Sequence, residues 1–542
     1  MPDERLNRRT YLKFAGGAAA SAALAGCLGG GDGNDQNDGG GDGTDSTTSS
    51  TDSGGNGNSS SGDLPATITQ GQMPSTLDPH NHRETTTDNV VLQAYEGILS
   101  RDKKGKITKQ LATKYERTGD KTVAFTIRDD VKFHSGEKLT PEDVAFSVNR
   151  IVKSDVGNLE SPQSDQLSGV TGAEVKDGKV EVTSDGVNPI VFGLFATYCD
   201  VMQKKWVQSH EKNYIAKHMN GTGPFKLKKY TEDVKVVFER NEDYWRDPAA
   251  VSELTFNAAK ESSTRVNQLL NGETDIIVNV PPQDAGNVKN SKKTTLSAVP
   301  STRIIYNAMR YDAKPFDSPK FRQAMNYAID LDSIIENILS SFAGPTGQPT
   351  LEGFTGYNSN VKPYPAKKKK AEQLVEESGN AGAKITLHTP VGRYLKDVEI
   401  AQAVAKQIDQ LKNVNCSVKQ RDFNSLAGEL TDGKIDTGPK FYLIGWGNAT
   451  FDASQTIIPL LTTNGALTSY SNKDVDKMMK EAQNMPGGDK RNQKLYKINK
   501  TLHDQAPWIF LNRQYSVYGV SQRINWEARR DERIDAYAIS SK

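Results

Sequence analysis

Short alternating or continuous apolar stretches recur along most of the chain. The stretch KTVAFTIR places Val123, Phe125 and Ile127 at alternate positions, which is the pattern of a half-buried strand. FYLIG (441–445) and WIFLN (508–512) are continuous apolar runs, typical of strands buried on both faces. These stretches predict a sheet whose strands are spread over much of the sequence.

Helix signals lie between the strand patterns. Thr140 and Pro141 precede two acids, an arrangement of N-cap, first-turn proline and first-turn carboxylates that favours a helix start. An apolar stripe from Ile400 to Leu411 recurs at helical spacing. The lysine run 367–370 opens another helix, in which the lysines are expected to be solvated. Helices and strands mixed in this way predict an α/β body.

The N-terminus carries the features of an exported, anchored protein. NRRTYLK, from Asn7, resembles the twin-arginine export signal, and LAGC, ending at Cys27, resembles a lipoprotein box in which the cysteine is acylated. Residues 28–63 consist almost entirely of Gly, Asp, Ser, Thr and Asn, which cannot form a core. We therefore expect a signal peptide at 1–27, a disordered tether at 28–63, and a body lipid-anchored to the outer face of the cell membrane.

Composition narrows the classes of function. The 542 residues are 35% hydrophobic and 25% charged, as in ordinary globular proteins. No apolar run approaches the roughly 20 residues of a membrane-spanning helix, which excludes a channel. The net charge of +1 gives no argument for a nucleic-acid partner.

The sequence lacks the common catalytic and metal-binding motifs. The sequence has no HExxH, no GxSxG, no phosphate loop and no cysteine–histidine cluster with metal spacing. His80 and His82 are interpreted as incidental residues of a polar loop rather than metal ligands. Cys199 and Cys416 are expected to be free rather than bridged. We therefore predict no catalytic residues, no metal and no cofactor, although a carboxylate-dependent hydrolase needs no local motif.

Several segments, in the same order along the chain, resemble one family. They are STLDPH from Ser75, DDVKFHSGEKLTPEDVAFSVNRI from Asp129, GTGPFKLKKY from Gly221, KPFDSPKFRQAMNYAIDLDSI from Lys314 and RNQKLYKINKTLHDQAPWIFL from Arg491. Together they resemble the extracytoplasmic solute-binding proteins of peptide- and nickel-type ABC transporters, solute-binding family 5. The resemblance covers essentially all of 65–542.

The resemblance implies a two-lobed, periplasmic-binding-protein-like (type II) α/β fold with an extra small domain in the first lobe. Lobe I would comprise 65–105, 220–300 and 515–542, the extra domain 106–219, and lobe II 301–514. The lobes would close over a ligand. The loaded protein, expected to be a monomer, would then dock on a membrane permease pair powered by cytoplasmic ATPases and would itself catalyse nothing.

The resemblance also indicates site residues in GWGNATFDAS. Family peptide binders hold the ligand α-amine with an aspartate three residues after the tryptophan of a GW strand end. Trp446 matches that tryptophan, but Ala449 occupies the position of the acid, and Asp452 matches a different acidic position. Arg393 is a candidate partner for the ligand carboxylate. The candidate ligand-binding residues are Trp446, Asp452, Arg393, Tyr306, Asn307 and Asn448.

Packing remains an alternative role for each candidate. Trp446 could belong to the core, Asp452 could cap a turn, Arg393 could be a surface base, and Tyr306 and Asn307 could pack between the lobes. For the ligand, a peptide or peptide-like solute is the first hypothesis. An oligosaccharide, a metal chelate or another small solute is the alternative, favoured by the missing acid. A tethered extracellular hydrolase and a sensory or adhesion protein are further alternatives.

Overall fold

The computed structural model describes residues 63–82, 84–164, 166–431, 438–465 and 467–542. The predicted export signal, Cys27 and nearly all of the predicted tether lie outside these residues. Within the described residues, none of the helices is long and apolar enough to cross a bilayer.

Helices and strands alternate throughout the described chain, as predicted. The helices are α1 Thr85–Val91, α2 Pro141–Val152, α3 Val191–Phe195, α4 Lys204–Gln208, α5 Lys212–Ile215, α6 Ser262–Asn271, α7 Pro282–Asn290, α8 Pro319–Tyr327, α9 Leu331–Asn337, α10 Lys368–Glu377, α11 Asp397–Asp409, α12 Phe423–Thr431, α13 Ala453–Leu461, α14 Lys473–Gln483 and α15 Asp489–Gln505. The strands are β1 Pro65–Gln70, β2 Leu99–Arg101, β3 Ile107–Lys109, β4 Ala112–Arg117, β5 Thr122–Ile127, β6 Val170–Lys176, β7 Lys179–Ser184, β8 Phe225–Thr231, β9 Lys235–Arg240, β10 Glu253–Ala258, β11 Ile276–Val278, β12 Thr294–Met309, β13 Ala343–Pro345, β14 Ala383–Pro390, β15 Val414–Arg421, β16 Phe441–Gly447, β17 Trp508–Ser521, β18 Ile524–Asn525 and β19 Ser540–Ser541.

Two long antiparallel strands, β12 and β17, connect the two halves of the molecule. They lie at the centre of a mixed sheet of order β15-β14-β16-β12-β17-β11-β1-β10-β9-β8, in which β13 also pairs with β17. β12 has 16 residues, so at about 3.3 Å per residue it is roughly 50 Å long. Its register with β17 shifts between Pro300 and Ile304, at the passage from one half to the other.

Each half has its own hydrophobic core. Lobe I is the half whose buried cluster includes Ile68, Phe256 and Trp526, so the C-terminal segment after β17 packs against β1 and β10. Lobe II is the half in which β16 and its neighbours carry clusters on both faces, one around Phe441 and one around Ile457. A further cluster lies between α2 and the separate sheet β4-β5-β7-β6, within the predicted extra domain.

Local sequence signals account for several of these elements. Thr140 forms a capping box with Asp143 at the start of α2, as the pattern of N-cap, proline and acids predicts. Gly272 ends α6 with a φ of +82°, a left-handed conformation that glycine adopts without a Cβ clash. In α10, Ala371, Leu374 and Val375 are buried, as the pattern around the lysine run predicts.

The predicted lobe borders fall inside the connecting strands. Position 301 lies within β12 and position 515 lies within β17. Since both strands continue from one core to the other, the two lobes share a sheet rather than being joined by a loop. A change in the angle between the lobes therefore has to be absorbed within these strands, where the register of β12 already shifts.

Candidate functional site

The predicted site lies where β16 ends beside β12. Gly445, Trp446 and Gly447 are paired with Ile305, Ile304 and Arg303, respectively. Directly opposite residues of an antiparallel pair project to the same face. The two glycines therefore open the face that carries Arg303 and Ile305, and Trp446 lies on the opposite face.

The side chain of Trp446 is half-buried against the lobe II cluster that includes Ile304 and Tyr306. Its indole Nε1 is buried and has no hydrogen-bond partner among the described residues. A buried tryptophan N–H usually finds an acceptor. The ring thus packs as a core residue would, and its N–H remains available to an acceptor.

Tyr306 and Asn307 lie deeper in lobe II than a solvent-lined cleft. Tyr306 is buried and stacks on Trp508, with the ring centroids 3.7 Å apart. Burial raises the pKa of its phenol well above the ordinary value. Asn307 is fully buried, and both atoms of its side-chain amide lack a hydrogen-bond partner among the described residues.

Asp452 is engaged inside lobe II. Its carboxylate accepts two hydrogen bonds from Arg491, of 2.6 and 2.8 Å, and both side chains are almost completely buried. The same carboxylate accepts the backbone N–H of Ser454 at 2.9 Å and caps α13. This geometry gives Asp452 the capping role that was the alternative at the level of sequence, and it lends no support to a ligand contact.

Asn448 also fixes the loop from within. Its side-chain amide donates to the backbone oxygen of Asp452 at 2.8 Å and to the hydroxyl of Thr456 at 2.9 Å, and its oxygen accepts from Thr450. Only 2% of its surface is exposed. Asn448 and Asp452 therefore shape the turn that follows Trp446.

Arg393 lies on an exposed loop beside the strand end. Asp397 holds this loop by accepting the backbone N–H groups of Arg393 and Tyr394 at 2.8 and 3.0 Å. The guanidinium of Arg393 lies over the rings of Tyr394 and Phe423. Desolvation there, and then repulsion from Arg303, lower its pKa from the ordinary value. The loop thus places a cation next to Arg303.

The loop after Trp446 contacts lobe I and its extra domain. The hydroxyl of Thr197 donates to the backbone oxygen of Ala449 at 3.1 Å, and Arg101 donates to that of Thr450 at 3.0 Å. Gln455 donates to the hydroxyl of Tyr198 at 2.7 Å. The predicted site is therefore at the junction of the two lobes.

Two residues at this junction were missed at the level of sequence. Arg303 donates to Glu532 at 3.1 Å, and the pair joins β12 to the C-terminal segment of lobe I. Arg303 stands four residues before Asn307, so strand alternation could have placed it on the same face as that candidate. Glu532 is 229 positions further along the chain, and no local pattern indicates it.

A separate cavity of about 830 Å³ lies in lobe I, between the β2–β3 hairpin and the C-terminal segment. Its lining includes Glu96, Arg101, Asp200 and Arg533, and none of the predicted site residues. Burial raises the pKa of the Asp200 carboxyl to about 7, although Arg533 favours its charged form. Arg101, Thr197 and Tyr198 line this cavity and also bond the loop after Trp446, so the cavity borders the lobe junction.

The histidine loop differs from the prediction of a polar loop. His80 and His82 are both buried, and the His80 ring bonds the backbone oxygen of Asp200 at 2.7 Å. Burial lowers the pKa of His80 to about 3. In the described part of the chain, no group of three or more His, Cys, Asp or Glu side chains could hold a metal ion. Cys199 and Cys416 are free.

Sequence comparison identifies the family. The chain belongs to the bacterial extracellular solute-binding proteins, family 5, whose middle-region model matches residues 106–467. The resemblance noted in the sequence is thereby confirmed. The glutathione-binding protein GsiB of Pectobacterium atrosepticum is 27% identical over 471 residues, covering 85% of this chain and 90% of that protein. GsiB of Salmonella typhimurium is 24% identical over 446 residues, covering 80% and 86%.

Solved structures confirm the two-lobed, periplasmic-binding-protein-like (type II) fold. The ABC transporter substrate-binding protein CtaP from Listeria monocytogenes superposes with a TM-score of 0.79, at 22% identity, over 89% of this chain and all of that chain. A dipeptide-binding protein from a Pseudoalteromonas species, in complex with Met-Leu, superposes with a TM-score of 0.76, at 19% identity, over 88% and 100%. The chain is therefore a solute-binding protein in family and in fold.

Proposed function

We propose that this solute-binding protein captures a peptide or peptide-like solute between its lobes and passes it to an ABC permease pair powered by cytoplasmic ATPases. The observation that carries the proposal is the position of the loop after Trp446. That loop starts at a half-buried indole in lobe II and bonds to lobe I through Ala449 and Thr450. Relatives named as glutathione-binding and dipeptide-binding proteins support a peptide-like ligand.

Closure of the lobes would couple binding to delivery. A ligand shifts the equilibrium between open and closed states only if it binds the closed state better. Contacts from both lobes meet that condition, because they exist together only when the lobes are closed. In this proposal Arg393 contacts the ligand on the face of β12 that carries Arg303, and Trp446 packs on the opposite face. Tyr306 and Asn307 support the strand, and Asn448 and Asp452 hold the loop in shape.

A thermal-melting series tests the ligand class. The full-length protein would be melted with Met-Leu, the tetrapeptide STSA, glutathione, a disaccharide and a nickel–histidine chelate. A ligand at a hundred times its dissociation constant stabilises the folded state by about 2.7 kcal/mol. We expect at least one of the peptide compounds to raise the melting temperature. A shift with only the disaccharide or the chelate would contradict the peptide assignment.

A different small solute is the second candidate, and Ala449 is the observation that favours it. The side chain of alanine cannot accept a hydrogen bond from an amine, and Asp452 is engaged with Arg491. A chain without the amine-holding acid of the family's peptide binders could take an oligosaccharide or a metal chelate. A tethered hydrolase is the more distant alternative, and release of product from any ligand that shifts melting would support it.

The proposed location is the outer face of the cell membrane, with the protein monomeric and anchored through Cys27. The support is the twin-arginine pattern and the lipobox in the sequence. Mass spectrometry of the mature N-terminus would show a lipid-modified cysteine. Replacing Cys27 by serine should release the protein from the membrane fraction, and retention of the variant would contradict the anchor.

A further inference from the structure

Arg303 and Glu532 form an ion pair between the lobes that is only partly satisfied. One guanidinium nitrogen of Arg303 donates to Oε2 of Glu532 at 3.1 Å. The other carboxylate oxygen, Oε1, is buried and has no hydrogen-bond partner among the described residues. Buried polar atoms are nearly always hydrogen-bonded, so an exception of this kind calls for an explanation.

The surroundings of Arg303 keep its guanidinium at the junction. A Cβ added to Gly447 would lie 3.1 Å from Nη2 and 3.4 Å from Cζ of Arg303, so the guanidinium packs directly on the glycine backbone. Burial lowers the pKa of Arg303, but Glu532 and Tyr394 outweigh burial and hold the pKa above its ordinary value. Arg393 lies over the ring of Tyr394, and that ring packs against Gly445, two residues before Gly447, so two cations and one carboxylate lie in this part of the junction.

The backbone around Glu532 is held in place by its conformation and by contacts to neighbouring elements. Its backbone has a φ of +64°, a left-handed conformation that is costly for a residue with a side chain. Tyr518 of β17 donates to its backbone oxygen at 3.4 Å, and Arg533 donates to the backbone oxygen of Thr197. The carboxylate is therefore presented to the junction by a fixed backbone rather than by a mobile tail.

We infer that Arg303, Arg393 and Glu532 form the polar anchor of the ligand and recognise a free α-amino-acid head, in which ammonium and carboxylate are attached to one carbon. Oε1 of Glu532 accepts from the ammonium, and the two guanidinium groups donate to the carboxylate. Hydrogen bonds between charged groups are the strong and directional ones in an enclosed site. The inference rests on the proposed function, and it assigns to Glu532 the role that Ala449 cannot fill.

The short distance between Arg303 and Glu532 determines the chemical class of ligand that the pair can bind. Arg303 and Glu532 are in direct contact, so the two charges of the ligand must lie close together. In an α-linked peptide, the free ammonium and the free carboxylate are separated by at least one Cα–Cα step of 3.8 Å, which puts them on the order of 5 Å apart or more. A side-chain-linked glutamyl peptide, by contrast, carries both charges on one carbon.

A pair of isomers tests the inference without any mutation. Glutathione, in which glutamate is linked through its side chain, would be titrated into the full-length protein by calorimetry beside the α-linked isomer Glu-Cys-Gly. The isomers share composition and net charge and differ in whether the α-carboxylate is free beside the ammonium. We expect the side-chain-linked isomer to bind at least about tenfold more tightly, since one charged hydrogen bond contributes that much.

Variants show which residue is responsible for the preference for glutathione over its α-linked isomer. Glu532→Gln keeps the shape of the side chain and should reduce binding of glutathione by about tenfold to a hundredfold while leaving the α-linked isomer little changed. Glu527→Gln is the matched control, because Glu527 belongs to the same segment and pairs with Lys103 at the exposed surface. The melting temperature of each unliganded variant shows whether it is folded. If Glu532→Gln is not folded, Arg303→Lys replaces it as the test variant.

The outcomes separate this inference from the proposed function. Equal binding of the isomers, preference for the α-linked one, or an unchanged preference in Glu532→Gln would overturn the zwitterion anchor and leave peptide capture standing. Failure of glutathione, its isomer, Met-Leu and STSA to bind at all would overturn both. Tighter binding of the side-chain-linked isomer, lost in Glu532→Gln and kept in Glu527→Gln, supports both.

Discussion

Two arginine–carboxylate pairs flank the loop after Trp446, and they differ in almost every respect. Asp452 and Arg491 lie within lobe II, share two hydrogen bonds and are nearly inaccessible to water. Arg303 and Glu532 connect the two lobes through one hydrogen bond of 3.1 Å and leave one carboxylate oxygen without a partner. The first pair satisfies its carboxylate without a ligand, whereas in the second pair Oε1 of Glu532 can still accept a hydrogen bond.

The difference separates a structural role from a binding role. Removing one partner of a complete buried pair leaves an isolated charge, so such a pair holds a loop in one conformation. An incomplete pair at a movable junction has a vacant hydrogen-bonding position that an incoming polar group can fill. The acid nearest to Trp446 in the sequence is therefore the structural one, and the acid that fits a ligand comes from the C-terminal segment.

The largest expected effect comes from breaking the complete pair. Arg491→Met should lower the free energy of unfolding by roughly 3–5 kcal/mol, because Asp452 would remain buried without a counter-charge. Denaturant unfolding would measure the loss. The double variant Arg491→Met with Asp452→Asn is the control and should recover part of it. A loss below about 1 kcal/mol would show that the pair does not hold the loop.

A third acid, Asp200, extends the comparison because, among the described residues, no arginine is hydrogen-bonded to its carboxylate as in these two pairs. Burial raises the pKa of the Asp200 carboxyl from its ordinary value of 3.8 to about 7. The folded state then binds a proton that the unfolded state has lost, so stability should fall as pH rises from about 4 to about 7. Asp200→Asn should remove this slope and stabilise the protein at pH 7, by on the order of a few kcal/mol. Melting temperatures across this range would check it, and an unchanged slope would refute it.

Gly447 provides a way to disturb the incomplete pair alone. Gly447→Ala puts a methyl group 3.1 Å from Nη2 of Arg303 and should push the guanidinium away from the strand. We expect glutathione binding to weaken by about tenfold with little change in stability. Gly286→Ala in α7 is the control, because its added Cβ would meet nothing within 4 Å. Equal effects of the two variants on binding would argue against the role of Arg303.

The smallest expected effect tests whether an acid near Trp446 can substitute for Glu532. Ala449→Asp places a carboxylate three residues after this tryptophan, where the resemblance to peptide binders leads us to expect one. We expect Met-Leu to bind up to roughly fivefold more tightly, the range of a partly exposed charge pair. Calorimetry with Met-Leu and with its N-acetylated form would measure the gain. A gain that the acetylated form shares would mean that the new acid does not contact the amine.

The sequence predicted the structural features that depend on interactions between residues close together along the chain. The cap at Thr140 and the helix opened by the lysine run are local features, and both are present. The partner of Asp452 is 39 positions away and that of Glu532 is 229, distances over which a single sequence carries no pairing signal. Burial of His80 against the backbone of Asp200 was missed for the same reason.

A crystal structure of the protein with glutathione bound tests the central claim most directly. We expect electron density for the ligand at the lobe junction, with its ammonium within hydrogen-bond distance of Oε1 of Glu532 and its α-carboxylate on Arg303 and Arg393. Ligand density in the lobe I cavity near Asp200, or at the junction with Arg303 and Glu532 still paired only to each other, would contradict the account.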